Sequence, residues 1–124
     1  MRSLEVVLEH LPPPELNPNR LRSQHWSIRH RVTNEAQAEI GWLVKSQWHD
    51  DKPMMKARIS YEFHLKDHRK RDLDNLLSSC KAYQDGLIEV GVLFYDDSQH
   101  LEIGSVRAIQ SDTEKTILRI EEII

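Results

Sequence analysis

Lys56-Ala57-Arg58-Ile59-Ser60-Tyr61-Glu62-Phe63-His64-Leu65 runs directly into Lys66-Asp67-His68-Arg69-Lys70-Arg71 and then into Asp72-Leu73-Asp74-Asn75. Ala57, Ile59, Tyr61, Phe63 and Leu65 alternate with polar neighbours, which is the period of a strand with one face buried. The strand leaves through a charged segment, and an acidic pair follows. Asp74 or Asn75 is placed to cap a helix in which Leu76, Cys80, Tyr83 and Leu87 recur at i, i+4, i+7 and i+11. That helix is expected to end between Gly86 and Gly91.

Downstream, Val92-Leu93-Phe94-Tyr95 is a short apolar piece leading into Asp96-Asp97-Ser98-Gln99. Ile103, Val106 and Ile109, then Ile117, Leu118, Ile120 and Ile123, mark two closing strands around a polar turn at 110–114. Upstream, Asn34 with Gln37 three positions on resembles a capping box, and Ala36, Ile40, Leu43 and Val44 predict a helix running to about Trp48. Asp50-Asp51-Lys52-Pro53 ends it. Before it, residues 11–33 read as one long basic loop, because Pro12-Pro13-Pro14 and Asn17-Pro18-Asn19 oppose regular structure. Residues 3–9 alternate again and read as a strand. Strand, helix, strand, helix, strand, strand gives an α+β class: a single domain over residues 1–124, a mixed β-sheet with two main helices packed on it.

The 124 residues, 39% of them apolar, suit one domain with its own core. Cys80 is the only cysteine, which excludes an internal disulfide and a cysteine-rich zinc site and fits a reducing cytosol. No apolar run reaches the ~20 residues of a membrane span, and the N-terminal stretch lacks a signal-peptide core. A cytoplasmic protein without a membrane partner is the expectation. The formal charge of −3 argues at first against nucleic acid, yet it conceals a split. Residues 1–71 carry +4 and residues 72–124 carry −7, so a positive surface beside an acidic site is expected.

In extended backbone, residues i and i+2 point to one side, so Asp72 and Asp74 would converge while Leu73 faces the core. Neighbouring carboxylates repel unless a cation lies between them, and a hard divalent ion such as Mg²⁺ suits oxygen donors. Either aspartate also suits a turn or a helix cap. Asp96 and Asp97 each offer a third carboxylate, or a turn residue. Lys81 lies seven positions after Asp74, nearly two helical turns, which puts it and Ser78 on the face of Asp74 with its ammonium leaning toward the carboxylates. Trp26 sits among Arg20, Arg22, His25 and Arg29, where base contact and packing are both open readings. Trp42 and Trp48 read as packing residues, Cys80 as a small core residue, and His64 with His68 as no zinc pair.

The joined pattern Arg71-Asp72-Leu73-Asp74-Asn75-Leu76, Lys81, Asp85-Gly86-Leu87, Gly91-Val92 and Asp96-Asp97-Ser98-Gln99 resembles the RusA-type endodeoxyribonucleases, bacterial and phage Holliday-junction resolvases. The likeness is specific over residues 66–99 and looser over the 19–26 segment. It implies a homodimer that nicks two strands of a four-way DNA junction symmetrically with Mg²⁺, or Mn²⁺ in its place, and no small-molecule cofactor. Asp72, Asp74 and Asp97 match the family's catalytic and metal-holding carboxylates, and Lys81 its catalytic lysine. In a shorter family spacing the lysine position falls at Ser78, whereas alignment backward from Asp85-Gly86-Leu87 puts Lys81 in register. Lys66, Arg69, Lys70 and Arg71, with Arg20, Arg22 and Trp26, are the expected DNA contacts, positioning the phosphate backbone rather than reading bases. The alternative is a branched-DNA-binding protein with little or no cleavage.

Overall fold

The alternating stretch becomes β2 (Ala57–Leu65), in which every second side chain is buried. β2 is an inner strand of a four-stranded sheet ordered β1-β4-β2-β3, where β1 is Ser3–Leu8, β3 is Leu101–Gln110 and β4 is Lys115–Glu122. It pairs antiparallel with β4 and parallel with β3, while β1 pairs antiparallel with β4. The mixed sheet and its helices are the α+β single domain expected from the sequence. The structure, a computed structural model, describes residues 1–21 and 25–124.

Among the described residues four α-helices accompany the sheet: α1 (Pro18–Leu21), α2 (Trp26–Lys45), α3 (Leu73–Ser78) and α4 (Lys81–Glu89). α2 buries Val32, Ala36, Ile40 and Val44, one residue per turn, toward the sheet. α4 buries Ala82, Tyr83, Gly86 and Leu87 beside it. The two helices approach closely at Gly86, where an added Cβ would stand 2.3 Å from Ile40 Cγ2 and 3.2 Å from Gln37 Cα. Tyr61, Phe63 and Ile59 from β2 and Leu118 and Ile120 from β4 complete the core with Tyr83 and Leu87. Truncating a side chain as large and buried as Phe63 to alanine would cost about 3–5 kcal/mol.

Two expectations about helices are corrected. The basic segment does not remain a loop to residue 33: a 3₁₀ turn spans Pro14–Leu16, and α2 begins at Trp26, eight residues before Asn34. Its cap is His25, whose Nδ1 accepts the Ser27 N–H at 3.2 Å. Histidine lies outside the usual capping set of Ser, Thr, Asp and Asn, so the start carried no ordinary signal. The second correction concerns the helix after β2, which is two helices. Ser79 Oγ donates to the Asn75 carbonyl at 2.7 Å, the kind of back-bonding that bends helices, and Cys80 breaks the geometry at φ −90°, ψ 1°.

α4 ends in a left-handed glycine, Gly91 at φ +85°. Val92 N–H reaches back to the Leu87 carbonyl at 3.0 Å and Gly91 N–H to Ile88 at 3.1 Å, a Schellman closure. The turn delivers Leu93 to a parallel bridge with Met54, just before β2 starts.

Trp42 does not pack as expected; it is 75% exposed. Trp48 is partly buried against the core with the Arg2 guanidinium 5.0 Å from its ring centre. Cys80 is fully buried, and desolvation pushes its thiol pKa up, which makes it an inert core residue. No helix among the described residues is long and apolar enough to cross a membrane.

Candidate active site

Asp72 follows the exit of β2 and caps α3, its Oδ1 accepting the Asp74 N–H at 2.9 Å. The cap is therefore Asp72, two positions before Asp74 and three before Asn75, the residues the alternation and helical spacing suggested. With Asp72 extended and Asp74 already helical, the shared-side geometry of a strand does not apply to the pair. Leu73 between them is 40% exposed and does not enter the core.

The basic exit is organised by Asp67. Its carboxylate accepts from Arg69 N at 3.2 Å, Arg69 Nε at 3.0 Å and Arg71 Nη2 at 3.1 Å. Partial desolvation opposes its charge, but these bonds outweigh it and hold the carboxyl pKa below the ordinary value. Arg71 also lies 4.0 Å from Glu114 in the β3–β4 turn, and its Nε is buried with no hydrogen-bond partner among the described residues. Lys66 and Lys70 are exposed. Lys70, Arg71, Asp72 and Asn75 line one cleft of about 340 Å³, closed on the far side by Leu11, Pro12, Pro14 and Asn17. The proline-rich segment thus forms a wall of the site. Asp67 was missed from sequence, although Asp followed at i+2 and i+4 by arginine was its legible signal.

Asp97 enters from elsewhere. β2 and β3 are parallel, with Ala57 opposite Leu101, so the turn before β3 belongs to the start of this strand pair while Asp72 follows its end. Asp97 accepts the Gln99 N–H at 2.9 Å and contacts His100 Nδ1 at 2.6 Å. The His100 contact is the main cause of a depressed Asp97 pKa. Phe94, Tyr95 and His100 form a ring cluster beside it, with centroids 4.8–5.8 Å apart.

Lys81 opens α4 rather than continuing the helix of Asp74, so its expected lean toward Asp74 does not occur. Its ammonium bonds Asp85 Oδ1 at 2.9 Å and also Asp96. Burial works against that charge, yet the two carboxylates outweigh it and raise the pKa. Ser78 and Lys81 line the same small cleft with Arg29 and Asp85, so both candidates for the family lysine position face one space.

Among the described residues, no three His, Cys, Asp or Glu side chains are grouped as a metal ion would require. Asp72, Asp74 and Asp97 are not assembled into one centre within the chain. Of the remaining expected DNA contacts, Arg20 lies in α1, Trp26 starts α2 at 66% exposure with its ring 5.6 Å from His25, and Arg22 lies outside the described residues. His64 bonds Glu62 at 2.8 Å on the sheet face, away from any partner histidine.

No protein-family model matches the chain. A curated relative does: the chain is 30% identical over 122 residues to the crossover junction endodeoxyribonuclease RusA of Aquifex aeolicus, covering 97% of this chain and 92% of the relative. The chain belongs to the RusA family. In this chain the pattern from Arg71 to Gln99 that carried the resemblance falls on the capped α3, on α4 and on the turn before β3.

Proposed function

We propose that this RusA-family endodeoxyribonuclease resolves four-way DNA junctions by symmetric paired nicks, as a homodimer and with Mg²⁺ or Mn²⁺ as cofactor, in recombination and repair. The observation that supports this best is end-to-end similarity to a crossover junction endodeoxyribonuclease, with the Arg71-Asp72-Leu73-Asp74-Asn75 motif seated at a cleft. Lys70 and Arg71 on that cleft hold the DNA backbone next to Asp72, with Lys66 and Arg69 extending the positive surface. Asp67 fixes the guanidinium of Arg71 and so sets where phosphate is received. Asp72, Asp74 and Asp97 are the carboxylates on which cleavage depends, and Lys81 counters charge developing on the reacting phosphate. The proposed setting is the cytoplasm of a bacterium, or of one infected by phage.

A second reading, junction binding with little cleavage, is favoured by the separation of Asp97 from Asp72 within one chain. Incubating the pure protein with a four-way junction, a fork and a linear duplex, with and without Mg²⁺, separates the two. Paired nicks in the junction alone, dependent on the ion, support resolution. Tight junction binding with no nick at any Mg²⁺ concentration overturns it in favour of the second reading.

A further inference from the structure

The two edges of the sheet are finished differently. On β1 the helix-facing residues Leu4, Val6 and Leu8 are buried at 7%, 0% and 0% exposure. On β3 the corresponding strip is buried only at Leu101, 8% exposed, and is left open beyond it, with Ile103 46% exposed, Ala108 exposed and Val106 only partly buried. No strand among the described residues pairs with the outer side of β3, so a ten-residue edge presents unpaired backbone groups beside an apolar strip.

β3 also carries a bulge. Ile59 pairs Ile103 and Tyr61 pairs Val106, so Gly104 and Ser105 together oppose Ser60. Gly104 is required there, since an added Cβ would stand 2.4 Å from Ser60 Oγ. The bulge puts Ile103 and Val106 on the same face although they are three apart. Leu101, Ile103, Val106 and Ala108 therefore face the helices, and Glu102, Arg107 and Ile109 face the other side.

We infer that β3 pairs antiparallel with β3 of a second copy of this chain, with Glu102 opposite Arg107 of the partner subunit. The pattern of faces selects this register. Two-fold pairing must set like faces opposite one another, or one copy's apolar strip meets the other's charged side. Three registers that pair seven or more of the ten residues satisfy the condition: the first sets residue 102 opposite 107, the second sets 102 opposite 109, and the third sets 107 opposite 107. Only the first joins unlike charges, and symmetry makes the pair twice. It also sets Ile103 opposite Val106 and Leu101 opposite Ala108, and it brings the two bulges together with Gly104 opposite Ser105. Arg107 is exposed and has no ion pair among the described residues, so it is available; Glu102 gives one oxygen to Arg58 at 2.9 Å and retains the other. The result is a continuous eight-stranded sheet whose apolar strips adjoin across the two-fold axis.

This pairing rests on the homodimer proposed above and names its surface. The full chain carrying Glu102→Cys with Arg107→Cys should form a covalent dimer under mild oxidation, visible on a non-reducing gel. Each single cysteine variant should stay uncrosslinked, because its like residues sit five positions out of register. The buried Cys80, present in every variant, serves as internal control. In sedimentation equilibrium, Arg107→Glu and Ile103→Lys should each weaken dimerisation at least tenfold with an unchanged circular dichroism spectrum. A dimer of wild-type strength in both variants, with no crosslink in the double cysteine chain, overturns the β3 surface while leaving the dimer standing. A wild-type chain that stays monomeric at every concentration overturns the dimer and this pairing together.

Discussion

The two acidic turns of this protein use the same residue type under opposite conditions. Asp72 sits on a helix cap among cations, with Lys70 and Arg71 on the same cleft and Asp67 holding the arginine in place. Asp97 sits in a turn among rings, held by His100, while its neighbour Asp96 is occupied with Lys81. The cations beside Asp72 are suited to draw a phosphate toward a carboxylate that alone would repel it. An aspartate whose lone pairs are already committed to a turn is suited to stay where the turn puts it. Carboxylates of one motif set, then, need not share one electrostatic role.

The largest effect should come from removing charge at either turn. Asp72→Asn keeps the cap, because asparagine serves as well there, so the fold is spared. Cleavage of a four-way junction should fall by at least about a hundredfold, a typical loss when a group acting directly in proton or charge transfer is removed. Junction binding should persist or tighten, since a negative charge facing phosphate has gone. Asp74→Asn and Asp97→Asn should behave alike. Single-turnover assays make the check, and near-normal nicking by Asp97→Asn would mean that only the first turn serves the chemistry.

How much of this is legible in the sequence differs between the same regions. β2 follows from alternation, because burial on one face leaves a period of two that needs no tertiary knowledge, whereas the closing strands are marked only by recurring, mostly β-branched residues. Ile103 and Val106, three apart, carry the mark of the bulge. The split of α3 from α4 is not visible as a break: Leu76, Cys80, Tyr83 and Leu87 keep helical spacing across it, and only the hydroxyl back-bond of Ser79 reveals the bend. The start of α2 is hidden because a histidine caps it. For the site, sequence locates Asp72, Asp74, Asp97 and the basic exit but not their mutual placement, which depends on the parallel direction of β3. The commitment of Lys81 to Asp85 at i+4 is readable; its bond to Asp96, fifteen residues on, is not.

Removing the cations at the first turn should have the next largest effect. Arg69, Lys70 and Arg71 changed together to alanine should reduce the slope of log affinity against log salt by about 0.9 for each phosphate no longer neutralised. The reduction should fall short of one phosphate per residue changed, because Arg69 and Arg71 are partly committed to Asp67. An unchanged slope would move the DNA to the 19–31 segment and dissolve the contrast between the turns.

A smaller effect is expected at Lys81, which connects the second turn to α4. Lys81→Ala should lower kcat about tenfold with little change in junction affinity, if the ammonium acts mainly on charge that develops during cleavage. Lys81→Arg should restore only part of the rate, since a planar fork replaces a compact charge between Asp85 and Asp96. A wild-type rate in Lys81→Ala together with a slow Ser78→Ala would show that the shorter family spacing is the functional one.

The smallest effect concerns stability rather than rate, and it isolates the second turn. The Asp97 carboxyl has a folded pKa below its ordinary value of 3.8, chiefly through the His100 contact. A group depressed on folding stabilises the native state above its unfolded pKa, and that contribution is lost as pH falls through the folded pKa. The wild-type chain should therefore melt slightly higher than His100→Gln at pH 6, and the gap should narrow as the pH falls through 3.8 and close once the folded carboxyl is protonated. Asp97 is exposed, so solvent screening keeps the gap small. His100 also packs against Phe94 and Tyr95, and disrupting that packing would lower the melting temperature equally at every pH. Melting curves of both chains from pH 7 to pH 2.5 separate the two causes. A gap that closes in acid belongs to the carboxylate, and a constant gap would assign the turn to its rings.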